Sequence, residues 1–317
     1  MLTPRPRGDL SATVLETLRG VPDSWPDALP PADGADDAAL TLWAMYELHY
    51  RGFDDVDDAW EWHPGLLGAR AGLERDFEAE LRRRHASAAA RPEGDLSEAL
   101  FAYVAAHDGP SVSGFVQRRA TRDQILELLR ARSVYALRES DPTAWLVPRL
   151  GSQVQAALMS LQYDEYGGGD AARVHARLFA RGLETSGLSP EFGTYLDLAT
   201  TEVLEQNNAM SLLGLHRRLR AAGLGHLAAF EATSSLPSRR MAQGLRRLDF
   251  PDEMVAYYEE HVEADAVHEQ LAVREICAPL VADEPDQRDE VFFGAFVCLD
   301  SEARVAGRLL QQWGEAA

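Results

Sequence analysis

Residues 252–282 read DEMVAYYEEHVEADAVHEQLAVREICAPLVA. The apolar positions recur at helical spacing, so the stretch predicts one long helix. The same period accounts for nearly every apolar cluster after Asp37. No run alternates apolar and polar residues between turn signals, and no Asn-Gly pair marks a hairpin. The fold class that follows is all-α, a helical bundle.

Outward from that stretch, the chain divides unevenly. Residues 1–36 are rich in proline, glycine and aspartate, which predicts a short helix near Leu10–Leu18 and then an irregular arm. Helical spacing begins at Asp37, with Ala38, Leu40, Leu42, Trp43, Tyr46 and Leu48 mostly on one face. Gly52 to Asp58 is an acidic loop, and Pro64 opens a long helix with acids paired to arginines. ARPEGDLSEAL breaks it, and Ser97 with Glu98 and Leu100 marks a new start. The expected organisation is an N-terminal arm and helical extension over 1–92 and a helical core over 93–317, or one continuous domain. No repeat of fixed period and no low-complexity tract is present.

The 317 residues carry 51 acids and 31 bases, a formal charge of −20. Such a balance disfavours a nucleic-acid groove, which needs a basic footprint, and docking on an anionic membrane. No stretch approaches 18 apolar residues, and the N-terminus lacks the continuous apolar run of a secretory signal. A cytoplasmic protein is expected. The two cysteines, Cys277 and Cys298, make neither a disulfide framework nor a thiolate metal site, and are expected to be reduced within apolar helices.

The chemistry concentrates in four places. His261, Asp265 and His268 stand at i, i+4 and i+7, within about 60° of one another on one helical face. They span about 10 Å, too far for one ion but suited to two with Asp265 between them. Imidazole plus carboxylate suits iron or manganese. The bland alternative is a solvated face, since Glu259, Glu260, Glu263 and Glu269 surround these positions; apolar Val262, Ala264, Val267 and Leu271 argue for partial burial. Next, Glu165 ends an apolar helix, Gly167–Gly169 break it, and His175 sits inside the following helical run. Third, Glu231 lies among Leu227, Ala228, Ala229, Phe230 and Ala232, an uncommon setting for an unpaired carboxylate. Fourth, Glu139 follows Tyr135, Ala136 and Leu137; its neighbours Arg138 and Asp141 read as ordinary helix-end charges.

Together these give four carboxylates and three histidines, a full ligand set for a carboxylate-bridged di-iron centre. Ferritin-like bundles use two Glu-x-x-His pairs. None occurs here, and Asp265-x-x-His268 is the nearest approach.

With Glu165-x₉-His175, then Glu231, then His261-x₃-Asp265-x₂-His268, the sequence resembles the heme-oxygenase-like di-iron oxidases and oxygenases, over roughly residues 95–290. The settings YDEYGGG and EEHVEADAVHE resemble those of actinobacterial iron-containing redox enzymes. The resemblance implies a heme-oxygenase-like bundle, two irons loaded as Fe(II), and activation of O2. It implies a small-molecule substrate and an external electron donor, since no flavin or nicotinamide fingerprint is present. Some members cleave or desaturate fatty or amino acids; others oxygenate the nitrogen of amines or guanidines. The N-oxygenating branch carries an extra carboxylate one helix before the first glutamate, and Glu139 falls there. The expectation is therefore a di-iron N-oxygenase with ligands Glu139, Glu165, His175, Glu231, His261, Asp265 and His268. Carbon–carbon cleavage or desaturation is the alternative. A non-catalytic metal- or heme-binding helical protein is the alternative of a different class, disfavoured for heme by the carboxylate cluster. A homodimer is compatible with the sequence.

Other polar clusters read as structural. ELHYRGFDDVDDAWEWHP places Glu47, His49 and His63 around four aspartates, but not at EF-hand spacing. Trp60 and Trp62 are expected to pack on the core. His216 and His226 are expected at the surface or at helix ends, and His85 and His107 carry no constellation.

Overall fold

Long helices with marked ends dominate the chain. A computed structural model describes residues 1–315, apart from the side chains of 263–266. Among the described residues every regular element is helical. The N-terminal third holds α1 (Asp9–Leu18), α2 (Ala35–Glu47) and α3 (Pro64–Ala86). Then come α4 (Leu96–Ala105), α5 (Val112–Arg118), α6 (Arg122–Ala136), the single turn α7 (Asp141–Ala144) and α8 (Ser152–Glu165). After a glycine turn follow α9 (His175–Thr185), α10 (Thr201–Leu215), α11 (Arg220–Arg247) and α12 (Asp252–Gln270). A π-helical stretch, Leu271–Cys277, leads into α13 (Ala278–Asp283), and α14 (Arg288–Gln312) completes the set.

The ends follow local chemistry. Asp95 accepts the N–H groups of Ser97 and Glu98, so α4 begins at Leu96. Thr121 and Gln124 close a reciprocal capping box on α6. Pro64 opens α3, as its sequence predicts, and Arg83, Arg84 and His85 complement the far end of the dipole. The helix predicted over 252–282 is continuous in the fold, but its middle widens into the π-helical stretch.

The long helix α11 is the axis of the bundle, packed on α14, α12, α5 and the π-helical stretch. Its approach to α14 is set by two glycines. A Cβ on Gly225 would meet the Val291 carbonyl, and one on Gly294 would meet the Ala222 carbonyl. The two backbones therefore touch directly, which only glycine permits.

Three apolar clusters fill the interior. One joins Leu40 and Trp43 of α2 to Phe179, Leu204, Met254 and Leu310. A second gathers α4, α8, the front of α11, the π-helical stretch and the front of α14. The third sets Leu42 and Tyr46 of α2 against Leu212, Phe293 and Val297. Cys277 and Cys298 are free thiols buried in these helices, as expected. No described helix is long and apolar enough to cross a membrane.

Several local expectations change. Trp60 is fully buried, but Trp62, at the end of a short 3-10 turn, is 61% exposed and lies edge-on to His49. The acidic loop is structural: Asp55 binds Thr3, and Asp57 caps the 3-10 turn. His216 does end a helix, α10, where its Nε2 lies 2.9 Å from the buried Glu74. His226 is not a surface residue: it points from α11 into a small cavity beside Glu231, and enclosure pushes its pKa down to about 4.

Candidate metal centre

Five elements converge on one buried region. Glu139 lies in the turn between α6 and α7, Glu165 is the last residue of α8, and His175 is the first of α9. Glu231 projects from the middle of α11, and His261 and His268 from α12. All six side chains are buried. They form two groups, Glu139·His175·His261 and Glu165·Glu231·His268, each with one potential ligand atom per residue and all such atoms within 4.8 Å of one another.

The glycine turn makes the first group possible. Gly167, Gly168 and Gly169 all adopt positive φ, at 80°, 62° and 88°. A Cβ on Gly167 would lie 2.6 Å from the backbone nitrogen of Val174, so the chain folds back tightly there. The expected helix over DAARVHARLF consequently starts only at His175, because residues 170–174 complete the turn. His175 Nδ1 then sits 3.0 Å from Glu165 Oε2 across the break.

Glu165 links the groups. While Oε2 faces His175, its Oε1 lies 3.4 Å from His268 Nδ1. Glu231 Oε2 is 3.6 Å from the same His268 nitrogen, and Glu139 Oε1 is 3.5 Å from His261 Nε2. The two α12 histidines therefore serve different groups. The side chain of Asp265, expected between them, lies outside the described residues.

Supporting contacts orient the ligand atoms. His261 Nδ1 donates to the Tyr257 carbonyl at 2.7 Å, which turns Nε2 toward Glu139. The Tyr257 hydroxyl lies 3.3 Å from both oxygens of Glu139. Ser140 Oγ donates to Glu165 Oε2 at 3.0 Å. His268 Nε2 faces Asp164 Oδ2 at 3.4 Å, a carboxylate–histidine contact of the kind that orients metal-binding imidazoles. Tyr257, Ser140 and Asp164 were not singled out in the sequence, although Tyr257 stands one turn before His261 and the other two adjoin ligand positions.

The electrostatics describe a site short of positive charge. Burial pushes the Glu165 carboxyl up, yet His175 and His268 outweigh it and hold the group well below the usual carboxylate range. Burial likewise raises Glu231, against the opposing pull of His268. Burial lowers His268, but Glu165 and Glu231 more than compensate and lift it to about 11. These two carboxylates therefore favour positive charge at this position. His175 Nδ1 and His268 Nδ1 are buried and face carboxylate oxygens without hydrogen-bond alignment. Buried ring nitrogens of this kind carry an energetic cost unless an ion completes them. The mixed imidazole–carboxylate set fits iron.

Burial around the α12 histidines is partial, as their apolar neighbours imply: Val267 is 65% exposed while His261 and His268 are buried. Arg138 is no ordinary helix-end charge; it is buried against Glu47 of α2.

A family model described as iron-containing redox enzyme matches residues 126–303, more than half of the chain. Its bounds contain Glu139, Glu165, His175, Glu231, His261 and His268. The nitrosourea synthase of Streptomyces achromogenes subsp. streptozoticus is 31% identical over 146 residues, 46% of this chain and 31% of that enzyme. The match thus spans about a third of that relative's length. A crystal structure of a CADD-like protein of unknown function from Nostoc punctiforme superposes with a TM-score of 0.53 and 19% identity, covering 68% of this chain and 96% of that one. A second structure of that protein gives 0.52 and 18%. These two likenesses concern the fold, a heme-oxygenase-like helical bundle. With its helical architecture and its matched segment, the chain belongs to the iron-containing redox enzyme family and is an oxidoreductase of heme-oxygenase-like fold.

Proposed function

We propose that the two buried groups hold two irons and that the protein is an O2-dependent non-heme di-iron oxygenase that oxidises the nitrogen of a small amine or guanidine. The observation that carries this reading is Glu165, whose two oxygens face one histidine of each group. Glu139, His175 and His261 would hold one iron, and Glu165, Glu231 and His268 the other, with Asp265 an additional carboxylate from α12. Bound there, iron would supply the redox chemistry toward O2, passing on electrons that an external donor provides.

The chain's own residues do the positioning. Tyr257 steadies Glu139 from one side, and Ser140 fixes the Glu165 oxygen that faces His175. Asp164 keeps the far nitrogen of His268 occupied, so Nδ1 faces the carboxylates. A cavity of about 270 Å³ reaches Glu139, Tyr257 and His261 and is also lined by Arg132, Met241 and Ser238. Its size suits a small organic substrate, and its mostly apolar wall limits water at the reacting end. The large groove beside residues 25–32 of the N-terminal arm contains none of the six grouped residues.

Similarity to an enzyme named for a nitrosourea product supports nitrogen as the oxidised atom. In the proposed reaction an N–H becomes N–OH. The second oxygen atom leaves as water, with two electrons and two protons drawn from an external donor.

Fe(II)-loaded protein, given a chemical reductant and ¹⁸O₂ with a panel of small amines and guanidines, tests the reaction. One labelled oxygen on a substrate nitrogen is the expected product by mass spectrometry. A chain-shortened or desaturated product with unlabelled nitrogen would instead establish carbon–carbon cleavage or desaturation.

A further inference from the structure

The turn joining α6 to α7 reads Arg138-Glu139-Ser140-Asp141, and each side chain is engaged in a different direction. Arg138 Nη1 donates to Glu47 Oε2 on α2, and both side chains are almost wholly enclosed. The Arg138 guanidinium lies 5.4 Å from the Trp43 ring, 4.7 Å from Tyr50 and 5.2 Å from Phe192. Glu139 faces His261, and Ser140 holds Glu165. Asp141 accepts from the Tyr166 hydroxyl at 2.9 Å, one residue beyond Glu165, and lies 3.4 Å from Arg51.

An ion pair in such a place is costly. Taking both charges from water carries a desolvation penalty that their attraction need not repay, and well-packed apolar residues are often at least as stable. Packing alone therefore gives α2 little reason to carry Glu47 inward. The pair has a geometric consequence instead. A guanidinium held by a carboxylate and three rings tethers the turn that carries it to α2, and so restrains where the next two residues lie. Those two residues are Glu139, in the first metal group, and Ser140, which orients the carboxylate shared with the second.

We infer that Glu47 and Arg138 are positioning residues, through which helix α2 of the N-terminal region aims Glu139 and Ser140 at the metal groups. The inference rests on the di-iron reading above, and it assigns the N-terminal helices a part in assembling the centre.

Metal binding separates this from a purely structural role. Wild-type protein, Glu47→Gln and the apolar double substitution Glu47→Leu/Arg138→Met are titrated anaerobically with Co(II), following the visible ligand-field bands. Thermal unfolding of each metal-free protein is measured alongside. Outer residues that orient ligands are worth about 10- to 100-fold in metal affinity. The double variant is expected to unfold at or above the wild-type temperature while one of its two Co(II) ions binds about 10- to 100-fold more weakly. Glu47→Gln, which leaves Arg138 uncompensated, is expected to lose both stability and affinity. Two Co(II) ions held by the stable double variant with wild-type affinity would overturn the inference and leave the di-iron reading intact. Absence of Co(II) binding in the wild type would overturn that reading itself.

Discussion

Glu165→Ala is expected to abolish O2-dependent turnover and to reduce bound iron from two ions per chain to at most one, held at least about a hundredfold more weakly. The expectation follows from where the two oxygens point. One faces His175 at 3.0 Å and the other faces His268 at 3.4 Å, so one side chain serves both groups. Removing any other grouped residue, His261 for example, empties a position in one group only. Its loss should therefore leave the second ion closer to wild-type affinity than loss of Glu165 does. The comparison is made by anaerobic Fe(II) titration and by iron analysis after gel filtration. Equal iron content in wild type and Glu165→Ala would remove Glu165 from the centre.

Gly294→Val should have the largest effect on the fold. The substituted Cβ would fall on the Ala222 carbonyl of α11, where backbone meets backbone and no flexible side chain can yield. Overpacking costs about 1–3 kcal/mol even where neighbours can adjust. Here α11 and α14 must separate, so a loss of about 3 kcal/mol or more is expected. In a chain of 317 residues that lowers Tm by roughly 4–5 °C or more. Glu231 lies six residues beyond Gly225 on α11, so the same displacement should weaken metal binding. Gly68→Ala on α3, where nothing lies within 4 Å, is the control and should be neutral or slightly stabilising. A Gly294→Val protein that unfolds within 2 °C of wild type would contradict the packing argument.

The helices were legible because their apolar positions repeat every three to four residues and their caps are local: Pro64 on α3 shows this directly. The ligand positions were legible because a carboxylate in an apolar run, such as Glu231, or histidines seven apart on one helix, stand out against simple patterning. What was not legible depends on contacts across the chain. Arg138 and Glu47 are 91 residues apart, and nothing near either signals the other. Helix α9 starts later than helical spacing predicts because three consecutive positive-φ glycines extend their turn to Val174, which helix propensity does not record. The π-helical stretch after α12 has no compositional signature either, although it begins three residues beyond His268. Trp62 shows the opposite case: apolar character predicts packing on the core for both tryptophans, yet only Trp60 is buried.

The most direct test of the proposed di-iron centre is anaerobic titration of the wild-type protein with Fe(II), followed by exposure to O2. Saturation at two irons per chain and a transient visible absorbance on mixing with O2 are the predicted results. Saturation at one iron, uptake of one heme per chain, or no iron uptake would contradict the account.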